Sequence, residues 1–85
     1  MIDDEVTQRR RKSILAVLYF APAQTLNVYS LRDELEKRHG MVVSVDKIRA
    51  DLLFLKEVEY VVLEKDIACL TLTGMDVVTG RRESL

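Results

Sequence analysis

Two groups of residues in this chain have the types and spacing to act together, and both suit recognition of phosphate or of base edges. The first is the run Arg9, Arg10, Arg11 and Lys12, which follows Asp3, Asp4 and Glu5 after three intervening residues. It reads either as an arm that contacts a phosphate backbone or as the solvated face of a helix, its charge offset by its neighbours. The second is VSVDKIRADLLFLKEV, residues 43–58, where Asp46, Asp51 and Glu57 balance Lys47, Arg49 and Lys56. At about 100° per residue, a helix here exposes Ser44, Asp46, Lys47, Arg49 and Ala50 in its first turns. Lys47 and Arg49 fall on opposite flanks of that face, where each has the reach for a phosphate or a guanine edge. Lys65 stands in a polar tip further on, and Arg81 and Arg82 are further candidates for backbone contacts. Asp46 in the middle of the face and Asp66 beside Lys65 oppose such contacts, because a carboxylate is repelled by the phosphate backbone.

The same helix carries a second reading. Asp46, Ala50, Leu53 and Glu57 form a stripe opposite the apolar side, with Phe54 next to it. Two large apolar groups on an outward face suit a protein partner or a second copy of the chain. Covering of Leu53 and Phe54 by the hairpin or by the N-terminal segment is the alternative. Catalysis is not expected: no Ser/His/Asp or Cys/His set is spaced for it, and three glycines form no phosphate loop. One cysteine and one histidine, Cys69 and His39, cannot assemble a zinc site, so neither metal nor cofactor is expected. His39 reads as a residue favoured at a helix C-terminus, and Cys69, between Ala68 and Leu70, as a buried thiol.

These residues have to be positioned by one small core, because 85 residues make a single domain. With 48% hydrophobic and 32% charged residues the composition is that of a globular chain, and no apolar run reaches the about 20 residues of a membrane span. The acidic start, MIDDEVTQRRRK, lacks the apolar stretch of a secretory signal, and a cytoplasmic location is expected. A formal charge of −1 gives no global attraction to nucleic acid, so any such binding has to arise from local patches.

Hydrophobic spacing sets out the elements. Ile14, Leu15, Leu18 and Ala21 mark a helix from about Thr7 that Pro22 ends, followed by a short extended piece at Thr25 and Leu26. Asn27 caps a second helix with its apolar stripe at Val28, Leu31 and Leu35, closed by Gly40. Ser44 caps a third, running to about Glu57, with Ile48, Leu52 and Leu55 toward the core. Tyr60 to Glu64 and Ile67 to Thr73 read as a hairpin turning at Lys65 and Asp66. Thr73 with Asp76 suggests the cap of a short last helix that Gly80 stops.

Helix, short strand, helix, turn, helix, hairpin is the order of the winged helix-turn-helix, an α+β fold with a three-helix core, a hairpin wing and here a short C-terminal helix. The resemblance covers about residues 7 to 79. VSVDKIRADLLFLKEVEYVVLE followed by LTLTGMDVV is similar to small ArsR-like proteins of bacteria and Mu-like phages, whose last strand and helix often join as L-T-x-x-G. The resemblance implies a DNA-binding protein, a transcriptional or phage-related (phage or prophage) regulator, with helix 3 as reader, the wing beside it and double-stranded DNA as partner. Metal-sensing members carry cysteine pairs, which this chain lacks, so a metal response is not implied. Their dimers often use longer terminal helices, so the resemblance does not carry over a homodimer.

Overall fold

A computed structural model describes residues 4–81. Among these described residues the architecture is α+β, with four α-helices and a three-stranded antiparallel sheet. Helix α1 spans Asp4–Phe20, three residues earlier at its start than the apolar periodicity indicates, because its one apolar residue there, Val6, is exposed and does not continue the core stripe. It stops before Pro22, and a tight 3-10 turn at Pro22–Gln24 leads into β1, Thr25–Asn27.

Helix α2, Val28–His39, starts where Asn27 Oδ1 accepts from Ser30 N–H at 2.8 Å. It ends at Gly40, whose φ of 65° is a left-handed conformation that costs glycine nothing, and whose N–H donates to Glu36 C=O at 3.1 Å. Helix α3, Val45–Glu57, is capped by Ser44, whose Oγ accepts from Lys47 N–H at 3.2 Å. Both caps stand where the sequence indicates them.

Strands β2, Val61–Glu64, and β3, Ile67–Leu70, form the expected hairpin. The sheet order is β1-β3-β2, so the short piece after α1 is a third strand, with Thr25 opposite Cys69 and Asn27 opposite Ile67. The C-terminal join differs from the sequence reading. Strand β3 ends at Leu70 rather than Thr73, and α4, Leu72–Val78, is capped by Thr71 instead of Thr73. Thr71 is held from both sides: its N–H donates to Tyr60 C=O at 3.1 Å and its hydroxyl to Glu59 C=O at 2.7 Å, while that oxygen accepts from Gly74 N–H at 3.0 Å. These long-range bonds override the strand propensity of LTLT. Gly80, at φ 82°, ends α4, with Arg81 N–H reaching back to Asp76 C=O at 2.8 Å.

One core joins all layers. Ile14, Leu15 and Leu18 of α1 meet Val28, Leu31 and Leu35 of α2 and Ile48, Leu52 and Leu55 of α3, all fully buried. Val61, Ala68 and Leu70 close it from the sheet and Val77 from α4. Each buried side chain of this size contributes about 1.5–3 kcal/mol through removal from water. Ala21, placed in the core stripe by spacing, is only half-buried, because the chain leaves the helix there.

Candidate nucleic-acid interface

The basic run does not act as one arm, because consecutive residues on a helix point about 100° apart. Arg10 and Arg11 turn inward to Asp51 of α3. Arg10 pairs with Asp51 through Nε and also donates from Nη2 to Oδ1 at 3.1 Å, and Arg11 Nε donates to the same Oδ1 at 3.0 Å. The Asp51 side chain is 1% exposed, against 13% for Arg10 and 22% for Arg11. Arg11 also lies over the Phe54 ring, 3.9 Å from its centroid. The reading of Arg9 to Lys12 as one phosphate-contacting arm or one solvated face is corrected for Arg10 and Arg11: these two serve as counter-charges that dock α1 on α3.

Arg9 and Lys12 remain exposed. Lys12 faces a groove shared with His39 and another beside Val77 and Val78 of α4, away from α3. Arg9 lines the groove with His39 as well, and it also borders a further groove, together with Arg10, Met41, Val43, Ser44 and Lys47, at the N-terminal end of α3, which Lys12 does not reach. Two exposed cations, Arg9 and Lys47, therefore flank the positive end of a helix.

On the hairpin side, a second groove is lined by Arg49, Leu53, Leu63, Lys65 and Asp66. Here the helix and the hairpin tip are tied by an ion pair that the sequence reading does not contain. Arg49 Nε donates to Asp66 Oδ1 at 3.1 Å and Nη2 to Oδ2 at 2.9 Å. Nη2 also donates to Tyr29 Oη, and Nη1 to Asp46 Oδ1, both at 3.3 Å. The hydrogen bond from Arg49 holds the Asp66 carboxyl below its ordinary value, and Asp66 in turn raises the Arg49 guanidinium above its own. Lys65 at the tip is exposed, with a left-handed φ of 54°.

On the outer side of α3 and at its cap, Ser44, Asp46, Lys47, Ala50, Leu53 and Glu57 are all exposed, Leu53 at 55%. Phe54 is not: it is half-buried beneath Arg11 and packs on the core, which corrects its assignment to an exposed protein-binding face. Arg81 is exposed, whereas Arg82 lies outside the described residues. The pairing of Arg10 and Arg11 with Asp51, and of Arg49 with Asp66, escapes sequence reasoning because these partners lie 17 to 41 positions away. Asp51 gave one signal, a charge on the apolar side of α3, which requires a buried counter-charge.

Among the described residues no cluster of three or more His, Cys, Asp or Glu is arranged to hold a metal ion, and no helix is long and apolar enough to cross a membrane. No protein-family model, curated protein or solved structure matches the chain.

Proposed function

We propose that this chain is a winged helix-turn-helix DNA-binding protein, a small transcriptional or phage-related regulator whose helix α3 enters the major groove. The observation that carries the reading is the exposed outer face of the N-terminal half of α3, bordered by two grooves with cations on their walls, Arg9 and Lys47 on one side, Arg49 and Lys65 on the other. Recognition helices of this class present their first turns to base edges while flanking residues contact phosphates. Ser44 and Ala50 are small enough to let the α3 backbone approach a groove floor. Lys47, Arg9 and Lys65 supply phosphate contacts, and the hairpin acts as a short wing.

Duplex titration at two salt concentrations tests this. The parent should bind a duplex with an affinity that falls as salt rises, and Lys47→Ala with Lys65→Ala should lower the log-log slope by about 0.9 for each phosphate no longer neutralised. No duplex binding at low salt would overturn the reading.

A second reading is supported by Leu53, more than half exposed on the groove it shares with Leu63. In that case α3 meets a protein partner or a second copy of the chain through Leu53, with Ala50 and Glu57 at the rim. Leu53→Ser should then abolish self-association measured by sedimentation, whereas the lysine variants should not.

A further inference from the structure

An arginine on a reading helix is ordinarily mobile, yet Arg49 is fixed from three elements at once. Asp66 engages its inner edge, Nε and Nη2, in a two-pronged contact at 3.1 and 2.9 Å. Asp66 itself is anchored. Its backbone C=O accepts from Val28 N–H at 2.9 Å, and the next residue, Ile67, pairs with Asn27 on one side and Glu64 on the other. The outer edge of the guanidinium, Nη1 and Nη2, is covered differently. Its contacts, to Asp46 and to Tyr29 Oη, are both 3.3 Å long, and their partners are exposed, the Asp46 side chain at 92% and Tyr29 at 50%. Long contacts to solvated groups exchange readily, whereas the inner fork holds.

We infer that Asp66 buttresses Arg49 so that its Nη1–Nη2 edge reads a single guanine in the major groove, through O6 and N7, and that this contact sets the sequence preference of the protein. The inference rests on the DNA-binding reading above. A guanidinium with one edge clamped presents two parallel donors in a fixed plane, which matches the paired acceptors of guanine and no other base. Clamping also removes rotamer freedom before binding, so the complex forms at a smaller entropic cost. Lys47, without such a clamp among its contacts in the structure, is suited to phosphate, where position matters less than charge.

Selection of bound duplexes from a randomised pool tests the inference, using the parent, Arg49→Lys, Asp66→Asn and Lys47→Ala. The parent should enrich one position as G·C. Arg49→Lys and Asp66→Asn should each reduce discrimination at that position by about 5- to 100-fold, the value of one bidentate base contact. Asp66→Asn should do so while overall duplex affinity holds or rises, since a negative charge is removed near phosphates. Lys47→Ala should weaken all sequences alike. In the selected site, 7-deazaguanine, which lacks the N7 acceptor, should lower affinity, whereas inosine, which keeps O6 and N7, should not. Binding without sequence preference, or a preferred G·C unchanged in Arg49→Lys and Asp66→Asn, overturns the inference and leaves the DNA-binding reading standing. Absence of duplex binding by the parent overturns both.

Discussion

The two ion clusters that touch α3 differ in what water does to them. Asp51 is shut away from solvent, so its charge depends on Arg10 and Arg11 for compensation. Removing it takes the buried carboxylate away from two guanidinium groups at a mostly buried joint, and Asp51→Ala should cost about 3–5 kcal/mol in urea denaturation. A cost below about 1 kcal/mol would show that the cluster is not a structural joint. The Arg49–Asp66 pair is solvated, and its signature is pH dependence rather than magnitude. Because Asp66 titrates lower in the folded chain than in the unfolded one, its contribution is fully present above the ordinary aspartate value of about 3.9 and is lost as pH falls through the folded value. Arg49 stays charged throughout. The stability difference between the parent and Asp66→Asn should therefore shrink as pH drops from neutral into that acid range, followed by urea midpoints. A difference that stays constant with pH would contradict the folded-state ion pair.

At the scale of elements, the join between hairpin and α4 is a close approach of backbone to backbone. A Cβ built on Gly74 would stand 2.2 Å from Tyr60 O and 2.7 Å from Leu70 Cδ1. Alanine is the better helix former by about 1 kcal/mol, yet Gly74→Ala should destabilise the protein, because the obstructing atom is backbone and cannot rotate away. A thermal melt at or above that of the parent would show that α4 can shift off the hairpin. Helix α3 is secured by its other face. Leu52→Ala removes a fully buried side chain where three helices meet, and should cost about 2–5 kcal/mol, enough to unfold much of a marginal domain. An unchanged melt would contradict the core assignment. The helices were legible beforehand because the signals that mark them are periodic and local: Asn27, Ser44 and Gly40 act within one turn, and the nine buried residues of the three stripes recur at helical spacing. The third strand and the start of α4 were not, because three residues of β1 and the cap at Thr71 are defined by partners on distant segments.

For the whole molecule, charge works by placement, since the formal total is only −1. On the proposed reading, Arg9→Ala, which shares a groove with Lys12 but also borders the one at the start of α3, should weaken duplex binding and lower its salt dependence, whereas Lys12→Ala, absent from the α3 groove, should leave both nearly unchanged; equal effects would contradict the division of the basic run. That contrast separates two sources of information. The sequence by itself determined the number and order of the helices, the caps of α2 and α3, the hairpin and the apolar faces that make the core, because periodicity, capping and turn chemistry act between neighbours in the chain. It also determined that Ser44, Lys47 and Ala50 stand on the outer side of α3, a consequence of helical rotation alone. Tertiary structure decided which charges remain available. Four adjacent cations look alike in sequence, but the packing of α1 on α3 sends Arg10 and Arg11 to a buried carboxylate and Phe54 beneath a guanidinium, and the sheet brings Asp66 to Arg49. Pairing of this kind is settled by distance through space, which no local pattern encodes.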